Sequence, residues 1–181
     1  MKKNVIVFGL ISGLILTVLM VTSTVMCYRN ENFEGNMVLG YAAMLLAFSL
    51  IFVGIKNYRD KFNGGLITFG KAFRIGMFIS LIASSMYVLV WLVEYYVFIP
   101  DFMDKYIPHV MNAAREDGAT AAELEKKAVQ MADFKEMYRN PLFVVLISYF
   151  EVLPIGLAVS LICAWILRRN RKDGEVLATA H

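Results

Sequence analysis

Four long apolar runs organise the chain, at residues of about 4–27, 37–55, 71–99 and 142–167. Each is close to or longer than the roughly 20 residues that a helix rising about 1.5 Å per residue needs to cross a bilayer. None carries Lys or Arg between its ends, since Lys71 and Arg74 stand at the entry to the third. The apolar–polar alternation of a barrel strand is absent, and a segment in hydrocarbon must satisfy its backbone internally. The pattern predicts an all-α membrane protein. It is one integral domain over residues 1–181, a four-transmembrane-helix bundle with a helical hairpin in the outer loop between spans three and four.

The connecting segments differ in character. Residues 28–36 form a short polar turn, residues 56–74 a basic inner loop with Gly64-Gly65 at its bend and Thr68 as a helix cap, and residues 168–181 a polar tail. Residues 100–140 are the one sizeable loop. A first helix there puts Ile107, Val110, Met111 and Ala114 on one face, with Pro108 as a bend, and ends at Gly118. Thr120 and Glu123 have the spacing of a capping box and open a second helix. Its stripe is Leu124, Ala128, Met131 and Tyr138, with Phe134 at the edge. Asn140-Pro141 stops it. So short a pair has too little surface to fold alone. It is expected to pack on the bundle's outer ends or to extend spans three and four.

Composition sharpens this picture. The chain is 59% hydrophobic and 18% charged, against about 45–50% and 25% in soluble domains. That excludes disorder, a collagen or disulfide scaffold, and an ordinary soluble core. The net charge of +3 hides an asymmetry. With both termini cytoplasmic, the inside carries eleven basic and three acidic residues, a net of +8; the outside carries seven and ten, a net of −3. The excess of Lys and Arg therefore places both ends in the cytoplasm. Lys56, Arg59, Lys61, Lys71 and Arg74 would face anionic headgroups of the inner leaflet, at about 1 kcal/mol each. Lys2-Lys3 and the run behind them look like the start of a signal peptide. The run is too long, however, and lacks a small-residue cleavage site, so a retained first helix is expected. Cys27 and Cys163 fall on opposite sides and cannot pair within one copy.

Inside the bilayer, small residues recur at four-residue spacing: Gly9, Gly13 and Thr17; Ala43 and Ala47; Gly76, Ser80 and Ser84; Gly156, Ser160 and Ala164. Such stripes let helix backbones approach, either within one chain or between copies. Two carboxylates remain. Glu94, beside Trp91, Tyr95 and Tyr96, lies near the outer end of span three, where it is expected to reach water as part of an interfacial belt. Glu151 lies about 13–14 Å deep in span four, with no Lys or Arg at that depth. Thr17, Thr22, Tyr41 and Tyr87 are its candidate hydrogen-bond partners by depth. Pro154 follows it and frees the carbonyl of Phe150. The simpler reading of Glu151 and Pro154 is a kink with its polar patch. The functional one is a proton- or ligand-responsive site at a broken helix.

Other chemistry is sparse. Gly65 to Lys71 imitates a phosphate-binding loop, but Ala72 stands where Ser or Thr should hold magnesium, and no strand precedes it. His109 among scattered carboxylates is a weak metal signal. No metal, cofactor or nucleic-acid partner is expected.

Several segments together resemble a family of small bacterial inner-membrane proteins, domain of unknown function 4199. They are Tyr41-Ala-Ala-Met-Leu-Leu-Ala-Phe, Ile55-Lys-Asn-Tyr-Arg-Asp, Ile67-Thr-Phe-Gly-Lys-Ala-Phe, Pro100-Asp-Phe-Met-Asp-Lys-Tyr, Phe134-Lys-Glu-Met-Tyr-Arg-Asn-Pro-Leu, and Glu151 with Pro154 and Gly156-Leu. The resemblance implies four membrane helices and a helical outer loop, and assigns no residue a catalytic role. Three functions compete. A non-enzymatic accessory or scaffold subunit of the envelope, bound to another envelope protein or to itself, comes first. A small proton-linked transporter or channel using Glu151 at Pro154 comes second. A membrane-embedded enzyme comes last, for want of a nucleophile, base or acid pair.

Overall fold

The computed structural model describes residues 1–30 and 37–169. Expectations that rest on residues 31–36 and on the tail from residue 170 lie outside the described residues. Among the described residues, six α-helices follow one another: α1 (Lys2–Asn30), α2 (Met37–Phe62), α3 (Phe69–Val93), α4 (Phe102–Glu116), α5 (Ala121–Met137) and α6 (Pro141–Leu167). A π turn, Glu94–Phe98, continues α3. Four helices are long and apolar enough to cross a membrane, the third of them running through the π turn from Phe69 to Phe98. The helices outrun the apolar stretches, for α2 continues past residue 55 to Phe62.

Local sequence sets the helix starts. Asn140 accepts a hydrogen bond from the Leu142 backbone at 3.0 Å, and Pro141 follows at the first helical position, where its missing N–H costs nothing. Thr120 and Glu123 form the expected capping box at the start of α5. Thr68 occupies the cap position of α3 with extended backbone but makes no side-chain capping bond.

Helix α3 is the hub, packing on α1, α2 and α6. The small residues are the seams. A Cβ on Gly76 would meet Ser160 Cβ at 2.8 Å, and one on Gly156 would meet Ser80 Cβ at 2.8 Å. The α3–α6 contact is thus reciprocal, and the Ser80 and Ser160 hydroxyls bond across it at 3.0 Å. Gly9 and Gly13 meet Ile82 and Met86 of α3 in the same way. Between α1 and α2, Ser12 Oγ donates to the Ala47 carbonyl at 2.8 Å and Asn4 Nδ2 to the Gly54 carbonyl at 2.8 Å. Around these seams Phe48, Ile51, Ile55, Ile75, Ile79 and Val152 form a closed apolar core. The stripes are therefore used within the chain, as backbone approach in lipid requires.

The connection between α2 and α3 turns through Gly64 and Gly65, at φ of 62° and 77°, a region open to glycine without steric cost. Lys71 Nζ donates to Asn63 Oδ1 at 2.7 Å and sits over the Tyr58 ring. Ile67 and Arg169 exchange backbone hydrogen bonds of 3.1 and 2.8 Å, tying this connection to the end of α6. At the opposite end, rings from the π turn, α4, the end of α5 and α6 make edge contacts through Tyr95, Phe102, Tyr138 and Phe143. The Tyr96 hydroxyl donates to the Tyr138 carbonyl at 2.9 Å.

Candidate functional site: two carboxylates and an apolar cavity

Glu94 opens the π turn, in which the Ile99 amide donates back to the Glu94 carbonyl at 2.9 Å. The extra residue of such a turn shifts the face that follows by about one position. Glu94 itself continues the inward face of α3, about three turns after the buried Ala83. Its side chain is 7% exposed, and its Oε2 has no hydrogen-bond partner. Sequence reading expects an interfacial carboxylate in contact with water. The structure buries it, because it lies on the face of α3 that packs inward and α1 stands opposite.

The space it faces is a cavity of about 350 Å³ between α1 and the end of the third span. Val21, Val25, Val90, Phe98 and Ile99 supply apolar walls, and Thr24, Tyr28, Arg29 and Glu94 the polar groups. Two of the hydroxyls are engaged elsewhere. Thr24 donates to the Met20 carbonyl at 3.1 Å, and Tyr28 to Asp101 Oδ1 at 3.3 Å. Lys105 joins the same corner, 2.8 Å from Asp101 and over the Tyr28 ring at 4.5 Å. The Lys105 ammonium beside Asp101 holds that carboxyl below the usual aspartate range.

Glu151 has a different setting. It is exposed on the surface of α6, beside the outward-facing Phe150. Ten residues into the helix, it lies about 15 Å from the start of α6. Of the partners expected from depth, Thr17 donates instead to the Gly13 carbonyl at 2.9 Å and Thr22 to the Val18 carbonyl at 2.7 Å. Tyr41 is exposed on α2. Tyr87 lies within electrostatic range of Glu151, as does Tyr138. Burial, with the Glu151 charge adding to it, pushes the Tyr138 phenol up to about 12. Pro154 sits exposed inside α6, which runs through it as one element. The two carboxylates are thus on different surfaces, Glu94 facing the cavity and Glu151 on the exterior.

The basic residues of the α2–α3 connection divide similarly. Arg59 pairs with Asp60 at 2.7 Å and reaches the Leu167 carbonyl at 3.4 Å. Lys71 is held by Asn63 and Tyr58, while Lys56, Lys61 and Arg74 are exposed. His109 is half-buried on α4. Among the described residues, no three His, Cys, Asp or Glu side chains gather as a metal site.

Long apolar helices around a close-packed core, with apolar side chains turned outward, define a multi-pass helical membrane protein. Residues 7–169 match the family described as protein of unknown function (DUF4199), and the chain belongs to that family. No curated protein and no solved structure matches it.

Proposed function

We propose that the chain is a non-enzymatic accessory or scaffold subunit of the bacterial cell envelope, set in the cytoplasmic membrane with both termini inside. Its working part is the α4–α5 pair, displayed on the outer face. The observation that supports this reading is α5 itself. It is a capped helix of 17 residues that buries none of its side chains within the chain. Glu125, Lys126, Val129 and Asp133 are all exposed on it, so most of its surface is open to another protein.

Charge supports the orientation. Lys2, Lys3, Lys56, Arg59, Lys61, Lys71, Arg74, Arg168 and Arg169 gather at the end holding the α2–α3 connection, against Asp60 alone among the described residues there. Such an excess favours the cytoplasmic side, where anionic lipids attract it. A proton-linked transporter is the competing reading. With Glu151 on the exterior of α6, a path through it would run between copies.

Photocrosslinking in living cells tests the proposal. A photoreactive residue at position 129 is expected to give a discrete adduct with a second protein, and one at position 146 is expected to give none. No adduct from position 129, together with a pH-driven flux into proteoliposomes that Glu151→Gln abolishes, would assign the transporter instead.

A further inference from the structure

The cavity beside the π turn belongs neither to the α4–α5 surface nor to Glu151, and its chemistry is specific. At about 350 Å³ it is far larger than a packing defect and falls within the size range of small-ligand pockets. Its walls, such as Val25 and Val90, are apolar. Of its polar groups, Thr24 and Tyr28 already donate to Met20 and Asp101. Two charged groups are left. Glu94 is 7% exposed with an unpartnered Oε2, and Arg29 is exposed at the end of α1. No ion pair joins them, nor joins either to another described residue.

A carboxylate taken from water into apolar surroundings is costly unless a cation and hydrogen-bond donors meet it. Among the described residues, none pairs with Glu94. π turns also recur at functional sites, and Glu94 opens this one. The complement of such a cavity has an apolar body, an N–H-bearing cation for Glu94 and an anion for Arg29. We propose that the cavity binds the head of a zwitterionic amphiphile, Glu94 pairing with its primary ammonium and Arg29 with its phosphate or carboxylate. A primary ammonium offers three N–H donors to the carboxylate. A trimethylammonium offers none and is bulkier, so an ethanolamine head is favoured over a choline head. The cavity lies at the end of the spans, at the level where lipid heads meet the hydrocarbon.

The test uses the full chain in nanodiscs of choline lipid, with a photoreactive ethanolamine lipid as probe and peptide mapping as readout. Saturable labelling is expected within residues 21–29 or 94–99. Glu94→Gln is expected to lower it at least tenfold. Val25→Trp, which fills the cavity and keeps the carboxylate, is expected to do the same and covers the case in which Glu94→Gln fails to fold. Unlabelled ethanolamine lipid should compete. Dodecylamine, which has an ammonium but no anion, separates a free amine from a lipid head: Arg29→Gln should weaken competition by the lipid and leave that by dodecylamine unchanged. Labelling that ignores both cavity variants, or that extra choline lipid displaces as well as ethanolamine lipid does, would overturn the proposal.

Discussion

A single methyl group decides whether the α3–α6 seam closes. On Gly156 it would lie 2.8 Å from Ser80 Cβ and 2.9 Å from Phe48 Cζ. Gly156→Val should therefore force the two helices apart at a cost of about 1–3 kcal/mol, the usual range for overpacking. Unfolding of the purified protein in detergent measures it. Gly40→Ala, with nothing within 4 Å of the added Cβ, should leave the midpoint unchanged. Glu151 gives the opposite sign. Exposed on the apolar face of α6, it loses no hydrogen bond on replacement, while a charge at mid-membrane depth costs at least ~2.5 kcal/mol. Glu151→Leu should raise the unfolding midpoint. A lowered midpoint would mean that the carboxyl holds the bundle together. The four-residue spacing marked the glycines and serines as contact positions. It could not say which stripes meet, because pairing depends on the crossing of helices far apart in sequence. Burial of Glu94 was illegible for a different reason: it follows from the packing of α1 against that end of α3, a contact between helices far apart in sequence.

Helix α5 shows what a short sequence signal can fix. Thr120 Oγ1 accepts from the Glu123 amide at 3.4 Å, and the Glu123 carboxylate accepts from the Thr120 amide at 2.8 Å. These residues stand three positions apart with defined roles, so the helix start was readable at residue resolution. Thr120→Ala should release the first-turn amides to faster hydrogen exchange, while Thr120→Ser should keep their protection. The same box is pH-sensitive with a definite sign. Hydrogen bonding to the Thr120 amide holds the Glu123 carboxyl below its ordinary value of 4.5. The carboxylate's support of the helix is therefore fully present above that value and fades as pH falls through the lower folded value. First-turn protection should accordingly hold down to the ordinary glutamate range and fall below it; loss at neutral pH would contradict the box. The packing of the α4–α5 pair was less legible. The stripe is the inward face of α5, with Leu124, Met131, Phe134 and Tyr138 half-buried, but none of the helix's residues is fully enclosed. Its contacts run through the ring cluster, which takes Phe134 and Tyr138 from that stripe, and through the Lys135–Asp104 ion pair, whose partners come from separate helices.

At the scale of the whole molecule, the charges and the helix pair are sorted to opposite ends of one bundle. The basic α2–α3 connection is pinned to the end of α6 by the Ile67–Arg169 bonds. The α4–α5 pair is attached at the other end through Tyr28, Asp101 and the aromatic cluster. A protein built this way in a bilayer would carry the helix pair on one side and its cluster of Lys and Arg on the other. Cysteine accessibility in intact cells tests this arrangement most directly. With Cys27 and Cys163 replaced by Ser, Asp117→Cys in the turn between α4 and α5 is expected to react with an impermeant maleimide added outside. Gly64→Cys in the basic connection should react only after the membrane is opened. Labelling of position 64 in intact cells, with position 117 protected, would invert the protein and remove the helix pair from the face on which its partners are proposed to meet it.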